Sequence, residues 1–233
     1  MNSPLLQVQG LHAFYGRAHI LFDLDLTVAR GEVVALMGRN GAGKSTTLKA
    51  LMGLLPGTRG QCHFDGRDIT RLAPYQRARL GLGFVPEDRR VFTGLSVLEN
   101  LETGRQPARP GAPQWTPEAL FELFPNLGAM PDRLGGRMSG GEQQMLTIAR
   151  TLMGNPHLLL LDEPSEGVAP LIVEQMAEMI VKLKQAGMAI LLCEQNFHFA
   201  QLVSDRAYLL DLGHVRHQGT LASVQAHQWE SGL

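Results

Sequence analysis

The sequence predicts an α/β protein whose mainly parallel sheet is covered by helices on both faces, with antiparallel β strands added at the N-terminus and a helical subdomain inserted. Three observations carry this reading. Strand-like and helix-like stretches alternate along most of the chain, which is the order that βαβ crossovers require. Residues 32–37, 157–161 and 188–193 are apolar almost throughout, as strands buried on both faces must be. A glycine-rich loop joins the first of these runs to a helical stretch, the usual junction of a strand with the helix that crosses over it.

Taken in order, residues 5–15 and 18–28 read as two strands joined at Gly16-Arg17, with Leu21, Leu24, Leu26 and Val28 alternating in the second. Residues 32–37 are a short buried strand, and the helix after Ser45 ends at Gly53. Leu54-Leu55-Pro56-Gly57 breaks the chain, residues 60–64 are a short strand, and Asp65-Gly66 is a tight-turn signal. Residues 74–80 give a helical turn, and the strand at 81–85 stops at Pro86. A polar loop runs from Glu87 to Phe92. The next helix covers residues 95–101, with Ser96 as cap and Glu99 at its third position.

Residues 104–117 contain four prolines and two glycines, which marks a linker inside a mainly helical segment of about 96–137. Beyond it, residues 117–124 are amphipathic and Pro125 stops them. Ser139 caps a long helix to Met153, with Glu142 at its third position and Gly154-Asn155-Pro156 as its stop. The strand at 157–161 precedes an amphipathic helix at 170–185, apolar at 172, 173, 176, 179, 180 and 183. A strand at 188–193, a short helix at 197–203 and two strands flanking Leu212-Gly213 complete the order. No repeat interrupts it. The expectation is a single domain, 1–233, with a core from about 1–95 and 138–233 and a helical subdomain at about 96–137.

With 44% hydrophobic and 18% charged residues, the chain has the balance of a globular protein. Its formal net charge of −1 counts against nucleic acid as the main partner, which would favour a basic surface. The two cysteines, Cys62 and Cys193, lie far apart, and Cys193 sits in an apolar run, so buried reduced thiols are expected. No apolar run is long enough to span a bilayer, and the first residues lack the basic and apolar regions of a signal peptide. A cytoplasmic chain that neither crosses a membrane nor is exported is therefore expected.

Gly38-Arg39-Asn40-Gly41-Ala42-Gly43-Lys44-Ser45-Thr46 fits the G-x-x-x-x-G-K-[ST] pattern, between an apolar strand and a helix. This is the context of a phosphate loop in a P-loop NTPase core. Backbone N–H groups at the helix start face phosphate oxygens, and the helix dipole strengthens the attraction. Lys44 is placed to reach the β- and γ-phosphates of a nucleotide such as ATP, and the Ser45 hydroxyl to hold Mg²⁺. The strand at 157–161 runs into Asp162 and Glu163. Asp162 is placed to bind Mg²⁺, and Glu163 to take a proton from attacking water. A second anion-seeking helix start is built by Ser139-Gly140-Gly141-Glu142.

Together these stretches resemble the ATP-binding subunits of ABC transporters, over about residues 5–220. The resemblance implies an ATPase in which the signature around Ser139–Glu142 of one subunit caps the γ-phosphate of ATP on the other. It implies that Tyr15 stacks on adenine, and that residue 87 senses Mg²⁺ and faces a membrane permease subunit. Where the family usually has glutamine, this chain has Glu87; the usual aspartate is Ala169, and the switch histidine is Gln195. His198, three residues on, is read as a surface or helix residue rather than the switch. With Cys-Glu-Gln-Asn and Asp-Glu-Pro-Ser-Glu-Gly-Val-Ala-Pro, these departures look like the smaller ATPase of importers for branched-chain amino acids, urea or short amides.

The implied partners are permease subunits, a second ABC ATPase subunit (or a second copy), and indirectly a periplasmic binding protein. The implied place is the inner face of the cell membrane. An ATPase acting on nucleic acid or ribosomes would usually carry two cassettes or a long coiled-coil insert. An ATPase for lipopolysaccharide export would be expected to keep glutamine at 87 and histidine at 195.

Overall fold

Two sheets meet at the phosphate loop in the computed structural model, which describes residues 3–231. Strands β1 (Leu6–Tyr15) and β2 (Ala18–Val28) pair antiparallel across Gly16-Arg17. β3 (Val33–Met37) leads into α1 (Lys44–Leu51). β4 (Gly57–Phe64) then returns to the other edge of β1, and β5 (Arg67–Asp68) folds back on β4 across Asp65-Gly66. The N-terminal strands thus form a four-stranded antiparallel sheet of order β2-β1-β4-β5, two strands wider than the pair expected.

α2 (Pro74–Leu80) precedes β6 (Leu82–Val85), and the helical segment follows as α3 (Val97–Thr103), α4 (Pro117–Leu123) and α5 (Pro125–Gly128). α6 (Gly140–Leu152), β7 (Leu158–Asp162), α7 (Pro170–Gln185), β8 (Ala189–Glu194) and α8 (Phe197–Val203) alternate. β9 (Arg206–Asp211), β10 (His214–Gly219) and α9 (Leu221–Ser231) close the described chain. The second sheet runs β10-β9-β3-β8-β7-β6 and is parallel except where β10 pairs with β9.

Every residue of β3, β7 and β8 is buried, which explains why none of them alternates in sequence. Their two faces still part with period two. Val34, Leu36, Leu158, Leu160 and Leu191 share a core with β1, β2 and Leu48 of α1. Leu159, Leu161, Ile190 and Leu192 share the other with α6, α7 and α8, and Val97, Leu101, Leu120 and Leu127 of the helical segment join it. Register aligns the strand ends that carry polar groups: Met37 lies beside Glu194, and Asp162 beside Cys193. The functional edge is therefore the carboxyl end of the sheet, where α/β folds place ligands.

Arg77 of α2 fixes the far end of α1. Its buried guanidinium donates at the end of the helix to the carbonyls of Ala50 (3.1 Å), which the Gly53 amide also reaches at 2.9 Å, and Leu51 (2.6 Å). Pro125 does stop α4, but it also opens α5 as its first residue, where a missing N–H costs nothing. Ser96 and Ser139 cap α3 and α6 in reciprocal pairs with Glu99 and Glu142, as their spacing predicts. Both cysteines are free and buried, and burial pushes the Cys62 thiol up to about 11 and that of Cys193 well above its usual value. No helix among the described residues is long and apolar enough to cross a membrane.

Candidate nucleotide site

The helix that follows the phosphate loop begins bare. α1 has Gly43 before it in a left-handed conformation (φ 110°), no capping side chain and no acid in its first turn. The amides of Lys44, Ser45 and Thr46 are thus the donors that a helix start leaves without partners. Gly43 cannot be replaced without movement, because a Cβ there would lie 2.7 Å from Leu21 Cδ2, in a backbone region that L side chains avoid. Lys44 is only 3% exposed and folds back over the loop. It donates to the carbonyls of Gly38 (2.8 Å) and Arg39 (3.1 Å) and pairs with Glu163 Oε1 at 3.0 Å. Arg39, Asn40 and Gly41 form the exposed rim of the loop, while Gly38, Ala42 and Thr46 are buried beneath it.

From the sheet edge, Asp162 Oδ1 accepts a hydrogen bond from Ser45 Oγ at 2.8 Å. Burial pushes its carboxyl up to about 6, offset in part by that hydrogen bond. Glu163 follows in a left-handed conformation (φ 45°), its amide held by the Cys193 carbonyl at 3.0 Å. This turn aims its carboxylate back at the loop. Burial works to raise the Glu163 carboxyl, but hydrogen bonds with Glu166, Lys44 and Gln195 outweigh it and hold the group below its usual range. Glu166 is pushed up to about 7 by its hydrogen bond with Glu163, with some burial adding to the effect.

Gln195 closes the ring of contacts. Its Nε2 donates to Glu163 Oε2 at 2.9 Å and to Asn40 Oδ1 at 2.8 Å, so it ties the base candidate to the phosphate loop. Glu194, which the sequence did not single out, sets the backbone of both flanking turns. Its buried carboxylate accepts from the amides of Ser165 (3.1 Å), Gln195 (3.0 Å) and Asn196 (3.2 Å). A carboxylate ending an apolar strand was the available signal for it. Glu166 was missed as well, and only the fold of the turn brings it to Glu163.

The structure thus gathers Gly38–Thr46, Asp162, Glu163 and Gln195 at one sheet edge. Glu87, exposed in the loop after β6, lies close enough to Asp162 for its charge to help raise that carboxyl, and the other predicted residues lie elsewhere. Tyr15 ends β1 with 46% of its surface exposed. Ser139, Gly140, Gly141 and Glu142 open α6, whose buried partners are α3, α5 and β6 rather than α1. Ser139 N donates to Glu142 Oε2 at 2.6 Å, and Ser139 Oγ accepts from the Glu142 amide at 3.4 Å. His198 is an exposed residue of α8. Three parts of this arrangement can bind anions or move protons: the bare helix start, the carboxylates facing it, and the second helix start set apart from both.

Comparison with known proteins agrees with this arrangement. The sequence model of the ABC transporter family matches residues 21–166. The chain is 40% identical to the high-affinity branched-chain amino acid transport ATP-binding protein BraG of Pseudomonas aeruginosa, over 94% of each chain. It is 35% identical to the lipopolysaccharide export system ATP-binding protein LptB of Haemophilus influenzae, over 94% of this chain and 92% of that one. Among solved structures it superposes on the ADP conformation of an ATP-binding cassette of an ABC transporter with a TM-score of 0.81. The identity there is 25%, covering 96% of this chain and 94% of the other.

Proposed function

The chain belongs to the ABC transporter family, as an ATP-hydrolysing subunit, and we propose that it powers an importer of branched-chain amino acids. The observation that carries this is the 40% identity to BraG across 94% of both chains. Glu87 and Gln195 support it, since they depart from the wider family as the importer resemblance expects. A transporter for urea or short amides is the same reading with another cargo, because the cargo does not touch this subunit.

In this reading ATP lies along Gly38–Thr46, with Tyr15 against the adenine. Its phosphates take over Lys44 from the Gly38 and Arg39 carbonyls and from Glu163. Released from that ion pair, which helps to hold its proton affinity down, Glu163 takes a proton from the attacking water. Gln195 orients the same water through its amide.

The oxygen donors of Ser45 and Asp162 suit Mg²⁺, which keeps water and phosphate oxygens in its shell and needs only one or two protein ligands. Mg²⁺ would neutralise charge on the β- and γ-phosphates, held by Ser45 and Asp162 with Glu87 nearby. The signature Ser139–Glu142 serves the ATP of a second ABC ATPase, or of a second copy. The loop from Glu87 to Phe92 faces the permease subunits, at the cytoplasmic face of the membrane, and a periplasmic binding protein delivers the cargo.

The 35% identity to LptB favours a second reading, export of a lipopolysaccharide. Uptake of labelled leucine by a strain lacking the gene decides between them. Import predicts that uptake is lost, returns with the wild-type chain and stays absent with Glu163→Gln. Unchanged uptake together with lipopolysaccharide retained at the inner membrane would establish export instead.

A further inference from the structure

A guanidinium lies against the second helix start. Arg89 is half-buried in the loop after β6, and its Nη1 occupies the space that a Cβ on Gly140 would need. Its Nη2 is 4.0 Å from the corresponding position on Gly167. The loop is held in an unusual shape to achieve this. Arg89 and Arg90 are consecutive left-handed residues, with φ of 61° and 46°, a conformation that costs free energy in non-glycine residues. The side chain of Thr147 donates to the Arg89 carbonyl, and Arg150 Nη2 donates to the Arg90 carbonyl at 2.7 Å, so α6 itself pins the loop in place.

What this geometry presents has no counter-charge. Arg89 makes no ion pair and no side-chain hydrogen bond among the described residues. A cation at a helix N-terminus opposes the helix dipole, where an anion is favoured. The one acid in the first turn, Glu142, already accepts from the Ser139 amide at 2.6 Å and faces Arg133 at 4.0 Å. A guanidinium, a serine hydroxyl and a helix start together make a cradle for a phosphate, and the planar fork of arginine suits its oxygens.

We propose that Arg89 contacts the terminal phosphate of the ATP held by the other ATPase subunit, as a third donor beside Ser139 and the glycine amides. The inference rests on the reading that the signature acts across subunits. Arg89 also sits two residues from Glu87, so the loop offered to the permease would carry a phosphate ligand and report cargo-driven movement directly to the shared nucleotide.

The test uses the assembled transporter and vanadate-dependent trapping of nucleotide, with Arg89→Ala, Arg89→Lys and Ser139→Ala compared. Arg89→Ala should reduce trapping at least tenfold and turnover by roughly 10²-fold, the size expected for one lost phosphate donor. Added guanidinium ion should restore part of both in Arg89→Ala, and Arg89→Lys should fall between it and the wild type. ATP affinity of the isolated chain should not change, since its own phosphate loop is untouched. Normal trapping in Arg89→Ala, with loss in Ser139→Ala, would overturn the role of Arg89 alone. Normal trapping in both would overturn the cross-subunit reading and this inference with it. A loss in Arg89→Ala that neither guanidinium nor lysine relieves would make the residue structural.

Discussion

Asp162 and Glu163 are adjacent carboxylates in opposite electrostatic situations, and each carries its own prediction. Asp162 is 2% exposed and pushed up to about 6 by burial. Between its ordinary value of 3.8 and about 6 the folded chain keeps a proton that the unfolded chain releases. Stability from this group is therefore complete below that window and lost as the pH rises through it. Asp162→Asn keeps an acceptor for Ser45 without the buried charge. It should raise the melting temperature over the wild type at about pH 8 and not at about pH 4, while Mg²⁺-dependent turnover is lost. An equal gain at both pH values would contradict buried charge as the cause. Glu163→Gln preserves size and the contact with Gln195 but cannot accept a proton. Turnover should fall by roughly 10²- to 10⁴-fold with ATP binding retained. Normal hydrolysis by this variant in the assembled transporter would remove Glu163 as the base. Lys44→Ala should act differently, weakening ATP binding itself, which an equilibrium titration of the isolated chain would show.

Elements were legible where periodicity or a cap marks them. α3 and α6 announced themselves through Ser-x-x-Glu boxes, and β3, β7 and β8 through unbroken apolar runs. β5 spans two residues and α5 four, too short for any period to register. α9 has few apolar positions, of which Leu221 and Val224 are buried, so its sequence gave little stripe to read. The loop between β6 and α3 depends on a residue whose role no pattern discloses. Asn100 is fully buried, accepts from the Phe92 amide at 2.9 Å, and donates towards the carbonyls of Phe92, Leu95 and Ser96. Asn100→Ala would leave the Phe92 amide without its partner and take a second donor from the carbonyls of Phe92, Leu95 and Ser96, which keep backbone partners. It should cost about 3 kcal/mol, read from urea denaturation, with faster amide exchange at Phe92. A loss below about 0.5 kcal/mol would mean that water replaces the side chain.

At the scale of the whole molecule, the phosphate loop and the carboxylate pair were legible because each is contiguous in sequence. The ring that joins them was not, since Asn40, Glu163 and Gln195 come from three separate turns that only the parallel sheet aligns. Gln195 therefore bears the last prediction. Its amide donates to Glu163 and Asn40 as a neutral imidazole could through one nitrogen, but it cannot gain a charge at any pH. A histidine at this place would titrate near neutrality and could offer a cation to the phosphate. If the chain works beside a different ATPase that supplies such a residue, a homodimer of this chain lacks it at both sites. The purified chain should then hydrolyse ATP more slowly than the full transporter, and Gln195→His should be tolerated and raise the homodimer rate. The variant should also gain a pH-dependent step near the histidine range of about 6 to 7 that the wild type lacks. The Glu163–Glu166 pair titrates in both proteins, so the difference between their profiles, rather than either profile alone, isolates residue 195. Equal rates for the purified chain and the full transporter would remove the need for a second kind of ATPase. Identical pH profiles with and without the histidine would place residue 195 outside the electrostatics of the reaction.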